Sequence, residues 1–120
     1  HDEEMAHMIS LGGWLRGFQL GATSTVERYS EAKAKILGRI DVVEYFLDRL
    51  DTLNPRLKQT EMVAAFITRL REIRLVMVEA SGQTLTEAQV SRLKKLADQA
   101  EAVATAKVDA DGNFLEKTKL

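Results

Sequence analysis

Apolar residues recur at intervals of three and four positions over most of the chain, as they do on the buried face of a helix. Three such stripes cover residues 26–53, 63–80 and 90–104. The chain has one proline and few glycine-containing turns, which favours long helices over strands. The predicted apolar positions are Val26, Tyr29, Ile36, Leu37, Ile40, Val43, Phe46, Leu47, Leu50 and Leu53, then Val63, Phe66, Leu70, Ile73, Met77 and Ala80, then Val90, Leu93, Leu96, Ala97, Ala100, Val103 and Ala104.

Signals for helix ends lie between these stripes. Asn54 is a typical N-cap residue, and Pro55 suits the first helical position because an N–H there has no partner within the helix. Residues 81–83, Ser-Gly-Gln, end the third predicted helix. Thr86 and Gln89 have the spacing of a capping box and predict the start of the fourth.

The first segment combines a helical apolar stripe with an unusual number of glycines. Its stripe consists of Met8, Leu11, Leu15, Phe18 and Ala22, with Trp14 beside it. The glycines at positions 12, 13, 17 and 21 each cost roughly 1 kcal/mol relative to alanine in a helix interior. We nevertheless predict a helix over residues 2–23, followed by a turn and a new helix cap within residues 22–25.

Four amphipathic helices joined by short connections favour an all-α fold, an antiparallel up-down four-helix bundle. The length of 120 residues suits one domain with one core. We predict a single bundle domain over residues 1–108 and a short C-terminal tail over residues 109–120. The tail is polar apart from Phe114 and Leu115, and this pair either packs on the bundle or frays.

Composition excludes several chemistries. The absence of cysteine removes disulfides, thiol nucleophiles, Cys-ligated zinc and iron–sulfur clusters. The longest weakly charged run, residues 5–26, contains His7, Arg16 and four glycines, so we predict no membrane span and a soluble protein. The chain begins with His1 rather than Met, which indicates either signal cleavage or a chosen boundary. The compartment therefore stays open between the cytoplasm and export.

Glu4 and His7 have the Glu-x-x-His spacing that places a carboxylate and an imidazole on one face of a helix. Di-metal sites in bundles use two such pairs and two further glutamates. The other histidine, His1, lies at the start of the chain, so half of the ligand set is missing. A solvated helix start is the favoured interpretation, and a metal- or cofactor-binding bundle using Glu4 and His7 is kept as an alternative.

Residues 109–113 resemble the opening of an EF-hand calcium loop. The resemblance then fails, because the position of the loop's glycine is Phe114 and that of its bidentate glutamate is Leu120. An ordinary Asp-Gly turn is favoured.

Positive charge is concentrated in the third predicted helix and the start of the fourth. Residues 55–95 contain eight Lys or Arg against four Asp or Glu, although the whole chain has a formal net charge of −1. A nucleic-acid surface would need more positive charge with interleaved aromatics or a recognition motif. We expect no nucleic-acid binding, and a phosphate- or nucleic-acid-binding domain using this basic helix is the less favoured alternative.

No catalytic motif is visible, so we predict no enzyme activity, no catalytic residue and no bound cofactor or metal. The leading hypothesis is a non-catalytic binding module that engages a protein partner, or itself, through the first helix, or holds a small ligand between helices. Gly13, Gly17 and Gly21, with Trp14 beside them, form a small-residue stripe that another helix can approach closely. If the stripe is packed in this way, Gly17→Ala is expected to destabilise the protein.

Overall fold

The structure is a computed structural model that describes residues 2–116, and the backbone alone of residue 2. Within this range the chain is helical and contains no strand, which confirms the all-α prediction. Five helices are longer than one turn, and one is a single turn. Their bounds are α1 Asp2–Glu27, α2 Glu31–Leu37, α3 Ile40–Asp51, α4 Pro55–Lys58, α5 Glu61–Glu79 and α6 Glu87–Thr105.

Helix α1 is longer than predicted, because the expected turn within residues 22–25 is helical. The Thr25 hydroxyl donates to the Gly21 carbonyl at 2.7 Å, which satisfies this buried polar group within the helix. The apolar stripe of α1 is confirmed at its centre, where Leu11, Leu15 and Ala22 are fully buried. The predicted second helix therefore starts later, at a cap formed by Ser30.

The predicted second helix is two helices, α2 and α3, separated at residues 38–39. Gly38 is the C-cap residue of α2, where its amide donates to the Ala34 carbonyl at 3.1 Å, and a Cβ there would be in ordinary contact with Leu85 Cδ1 at 3.4 Å. The break also changes which side chains face the core. Ile36 of the predicted stripe is 77% exposed, whereas its neighbour Leu37 is buried.

The predicted cap at Asn54 is confirmed, but the helix that follows it is short. The Asn54 side chain accepts a hydrogen bond from the Arg56 amide at 2.9 Å, and Pro55 occupies the first position of α4. That helix ends after one turn, and a second cap at Thr60, which accepts from the Val63 amide at 3.2 Å, starts α5. The predicted third helix therefore begins six residues late.

The capping box of α6 is confirmed in both directions. The Gln89 amide donates to the Thr86 hydroxyl at 3.1 Å, and the Thr86 amide donates to the Gln89 side chain at 2.9 Å. Helix α6 packs against both α1 and α5, α5 also packs against α3, and α1 packs against α2. These contacts enclose one apolar core in a molecule of 43 × 27 × 21 Å, whose long dimension is close to the roughly 39 Å expected of a 26-residue helix.

A turn at the end of the described chain, residues 107–115, packs against the start of α5. The Asp109 carboxylate accepts hydrogen bonds from the amides of Asp111 and Asn113 at 2.9 and 3.0 Å, as in an Asx turn. The Met62 amide donates to the Gly112 carbonyl at 3.1 Å. We call residues 107–115 the C-terminal turn; the predicted domain boundary near residue 108 stays a prediction.

The apolar pair of the predicted tail is divided. Phe114 packs against the core, and its amide donates to a Glu61 carboxylate oxygen at 2.9 Å. Leu115 is 61% exposed. The remainder of the tail, residues 117–120, and His1 lie outside the described residues.

Candidate functional site

An apolar groove of about 370 Å³ lies between the C-terminal half of α1 and the α2–α3 pair. Helix α1 supplies one wall, and the α2–α3 pair supplies the other. Residues on both sides of the break between α2 and α3 contribute to the second wall. The lining residues are Trp14, Gly17, Phe18, Gly21, Ser24, Thr25, Lys33, Ile36, Leu37, Arg39 and Val42. We call this cavity the α1–α2 groove.

Glycines and aromatic rings give the groove its shape. A Cβ at Gly17 would have no neighbour within 4 Å in the described chain, and one at Gly21 would lie 3.7 Å from Leu37 Cδ1. The Trp14 ring is stacked on Phe18, with the two centroids 5.0 Å apart, and is tilted against Phe46 at 5.4 Å. The missing side chains leave the cavity open, and the packed rings fix its apolar wall.

Two cationic side chains line the α1–α2 groove, and they differ in their partners. The Arg39 guanidinium makes a two-bond contact with the Asp41 carboxylate, at 3.0 and 2.9 Å. Asp41 raises the pKa of Arg39, and Arg39 lowers the pKa of Asp41, because each charge stabilises the other. The Lys33 ammonium instead donates to the Ser24 hydroxyl at 3.0 Å and to the carbonyls of Ser24 and Arg28. Lys33 thus brings a positive charge to this end of the groove without a carboxylate partner among the described residues.

A second surface of α1 points away from the core. Met5, Ile9, Gly13, Arg16 and Leu20 follow each other at intervals of three and four residues and therefore share one side of the helix. The three large apolar members are 65%, 69% and 57% exposed, in chain order. We call these five residues the outer face of α1.

The four predicted interaction residues are divided between these two surfaces. Trp14, Gly17 and Gly21 line the α1–α2 groove, whereas Gly13 belongs to the outer face. Cβ atoms at Gly13 and Gly17 would meet nothing within 4 Å in the described chain, whereas one at Gly21 would be in ordinary contact with Leu37 of α2. The contact of this small-residue stripe with a partner or a second copy stays a prediction.

Sequence reasoning missed the second wall of the groove. The sequence predicts one continuous helix over residues 26–53. On such a helix Lys33, Ile36 and Val42 would not lie on one side, so they would not face α1 together. Ser30 and Gly38 were the available signals for the break, since serine is a frequent N-cap residue and glycine frequently ends a helix.

The Glu4 and His7 pair is placed at the start of α1, beside the end of α3. A Glu4 carboxylate oxygen accepts a hydrogen bond from the Asn54 amide at 2.9 Å, and this bond is the main reason why the pKa of Glu4 is lowered. His7 is half-buried. Within the described part of the chain, no group of three or more His, Asp or Glu side chains is placed to hold a metal ion.

Several cations of the basic segment are paired with carboxylates. Arg74 bonds Glu44 of α3 at 3.1 Å, and Lys94 bonds Asp98 within α6 at 2.9 Å. Lys58 bonds Asp51 at 2.9 Å, and Lys58 lowers the pKa of that carboxyl. These pairs connect basic and acidic positions of the chain itself.

Comparisons of the chain with models of protein families, with curated proteins and with solved structures find no match in any of the three. None of the helices described over residues 2–116 is both long enough and apolar enough to cross a membrane.

Proposed function

We propose that the protein is a non-catalytic helical binding module that self-associates through the outer face of α1. The observation that supports this proposal is the exposure of Met5, Ile9 and Leu20 on one side of one helix. Single exposed apolar residues are common on protein surfaces, but three on the same side of one helix, with only Gly13 and Arg16 between Ile9 and Leu20 on that side, form a largely apolar strip.

The charge distribution favours a second copy as the partner. Arg16 is the one charged residue among the five of the outer face. Its guanidinium lies 3.9 Å from a carboxylate oxygen of Glu101 of α6. A symmetric dimer places one surface against itself, so a surface with few charges avoids like-charge repulsion. Gly13 adds no side chain that would hold two such helices apart.

Sedimentation of the full chain over a wide range of protein concentrations tests this proposal. We expect the wild-type protein to shift from monomer to dimer as its concentration rises. Leu20→Asp should weaken the dimer by about tenfold or more, because burial of a leucine contributes roughly 1.5–3 kcal/mol.

Leu75→Asp is the matched control. Leu75 of α5 is 56% exposed, nearly the same as the 57% of Leu20, and the substitution introduces the same charge. We expect Leu75→Asp to dimerise like the wild type. A wild-type protein that stays monomeric at every concentration, or an equal loss in both variants, would contradict the proposal.

We also propose that the helices form the antiparallel up-down four-helix bundle predicted from the sequence, with α2 and α3 together acting as its second member. The hydrogen bond from the Asn54 amide to Glu4 supports this arrangement, because it joins the start of α1 to the end of α3. The packing of α6 against both α1 and α5 supports it as well. A disulfide engineered between Glu4→Cys and Asn54→Cys should form to a greater extent than one between Glu4→Cys and Arg39→Cys, at the other end of α3, and equal yields of the two would contradict the antiparallel arrangement.

A further inference from the structure

We propose that the α1–α2 groove binds an alkyl carboxylate, an unbranched apolar chain with a single acidic head group. This proposal concerns a different surface from the outer face of α1 and does not depend on self-association. It rests on the shape of the groove, on its apolar walls and on the one cation of its lining that lacks a carboxylate partner.

The cavity has the size and lining of a small-molecule site. Its volume of about 370 Å³ lies within the roughly 300–1,000 Å³ that is usual for ligand pockets. Trp14, Phe18, Ile36, Leu37 and Val42 supply apolar side chains from both walls. Ile36 is 77% exposed, so an apolar ligand in contact with it would remove part of a large apolar side chain from water.

The charged residues that line the α1–α2 groove favour a ligand with an acidic head group. Among the described residues that line it, two are cationic and none is Asp or Glu. The charge of Arg39 is neutralised by Asp41, whereas the Lys33 ammonium donates only to neutral oxygens of Ser24 and Arg28, so its positive charge is not neutralised by a carboxylate among the described residues. One available positive charge matches a singly charged carboxylate, and the Ser24 hydroxyl, 3.0 Å from the Lys33 ammonium, can donate to a carboxylate oxygen.

Along α1 the groove runs from an aromatic wall to the Lys33 ammonium, which is the arrangement that an amphiphile with an apolar chain and a charged head group requires. Trp14, Gly17, Gly21 and Ser24 follow each other along α1 at intervals of three and four residues, from the aromatic wall to the Lys33 contact. The alkyl chain would therefore lie along the glycines of α1, with its carboxylate at the Ser24 end. Gly17 leaves open the space that the middle of the chain would fill.

Trp14 provides a direct measurement, since it is the only tryptophan of the chain and lines the groove. Decanoate, decanol and decyltrimethylammonium, which share one chain and differ in head group, are titrated below their aggregation concentrations. We expect decanoate to change the Trp14 fluorescence saturably and to bind about tenfold more tightly than decanol, because the Lys33 charge attracts its head group and the Ser24 hydroxyl can donate to it. The cationic probe should bind least.

Two pairs of variants locate the site. Lys33→Gln should reduce the affinity for decanoate to that for decanol, whereas Lys35→Gln, on the same helix but outside the groove lining, should leave it unchanged. Gly17→Leu should abolish binding of both probes, whereas Gly13→Leu, on the outer face, should not. Circular dichroism of each variant verifies that it is folded.

Three results would overturn the proposal. Equal affinity for decanoate and decanol would exclude selection of the acidic head group. Undiminished binding to the folded Gly17→Leu variant would place the ligand elsewhere. The absence of a saturable change with every probe would exclude the groove as a site for alkyl ligands, while dimerisation through the outer face, measured separately by sedimentation, could still be observed.

Discussion

The glycines of α1 and the glycine of the C-terminal turn have opposite surroundings. Gly13 and Gly17 have no neighbour within 4 Å of an added Cβ in the described chain. At Gly112, φ is +79°, and an added Cβ would lie 2.7 Å from both Thr60 Cβ and Thr60 Cγ2. In α1, glycine thus leaves open space where a side chain could be placed. In the C-terminal turn, Thr60 leaves no room for a side chain at Gly112.

This difference separates two uses of glycine. Gly112 is required by the fold itself, since neither its backbone conformation nor its contact with Thr60 accommodates a side chain. In α1 nothing inside the described chain requires glycine, although each one weakens the helix by roughly 1 kcal/mol relative to alanine. The α1 glycines therefore shape the surface of the protein, because Gly17 and Gly21 leave room for the α1–α2 groove.

The largest effect that tests this comparison is expected at the C-terminal turn. Gly112→Ala should lower the free energy of unfolding by about 1–2 kcal/mol for the left-handed conformation, and by a further ~1–3 kcal/mol for the clash with Thr60. Gly82→Ala is the matched control, because Gly82 has a φ of +77° but no neighbour within 4 Å. Chemical denaturation of both variants measures the difference, and equal losses would show that the contact with Thr60 contributes nothing.

A smaller effect of opposite sign is expected in α1. At protein concentrations low enough to keep the chain monomeric, Gly17→Ala should raise the free energy of unfolding by about 0.5–1 kcal/mol, since alanine favours the helix and meets no neighbour. This reverses the expectation from the sequence alone. Gly13→Ala should behave alike, and a lowered denaturation midpoint in monomeric Gly17→Ala would reveal a close contact that the structure does not show.

The smallest effect concerns how α1 is attached to its neighbour. The Gln19 side chain donates to Asp98 of α6 at 3.0 Å, and Lys94 and then Gln19 lower the pKa of that carboxyl. A lowered pKa in the folded state means that this contribution to stability is present above the unfolded pKa and is lost as the pH falls through the folded value. Because Asp98 is partly exposed, we expect a loss below about 1 kcal/mol.

Asp98→Asn isolates this contribution. The difference in unfolding free energy between the wild type and Asp98→Asn should be present at neutral pH and shrink as the solution is acidified below the ordinary range of an Asp pKa. Denaturation curves collected across the acidic range measure it. A difference that is independent of pH would show that the charge of Asp98, which contacts Lys94 of α6 as well as Gln19 of α1, does not stabilise the folded protein.

Local signals in the sequence were sufficient for part of the fold. The capping box of Thr86 and Gln89 and the cap at Asn54 involve residues within three positions of each other, so their outcome depends little on the rest of the chain. The buried stripe of α6 was predicted for the same reason. The contact of Gly38 with Leu85 joins residues 47 positions apart in sequence, and no local signal indicates it.

The residues of the candidate site could likewise be grouped from the sequence only where they lie on the same helix. Trp14, Gly17 and Gly21 could be grouped from helical spacing alone, since all three lie on α1. Lys33, from the other wall, could not be added, because its position depends on how α2 turns back against α1 after Ser30. The separation of Gly13 from the other glycines also follows from packing and not from spacing.

The link between the C-terminal turn and α5 has a consequence for the order in which the protein is completed on the ribosome. The amides of Glu61 and Met62 find their acceptors in Asn113 and Gly112, about fifty positions later in the chain. During translation α5 therefore emerges well before the residues that complete its first turn. Those amides stay hydrated until residues 112 and 113 have been synthesised, so the first turn of α5 is completed only after about fifty further residues have been added to the chain.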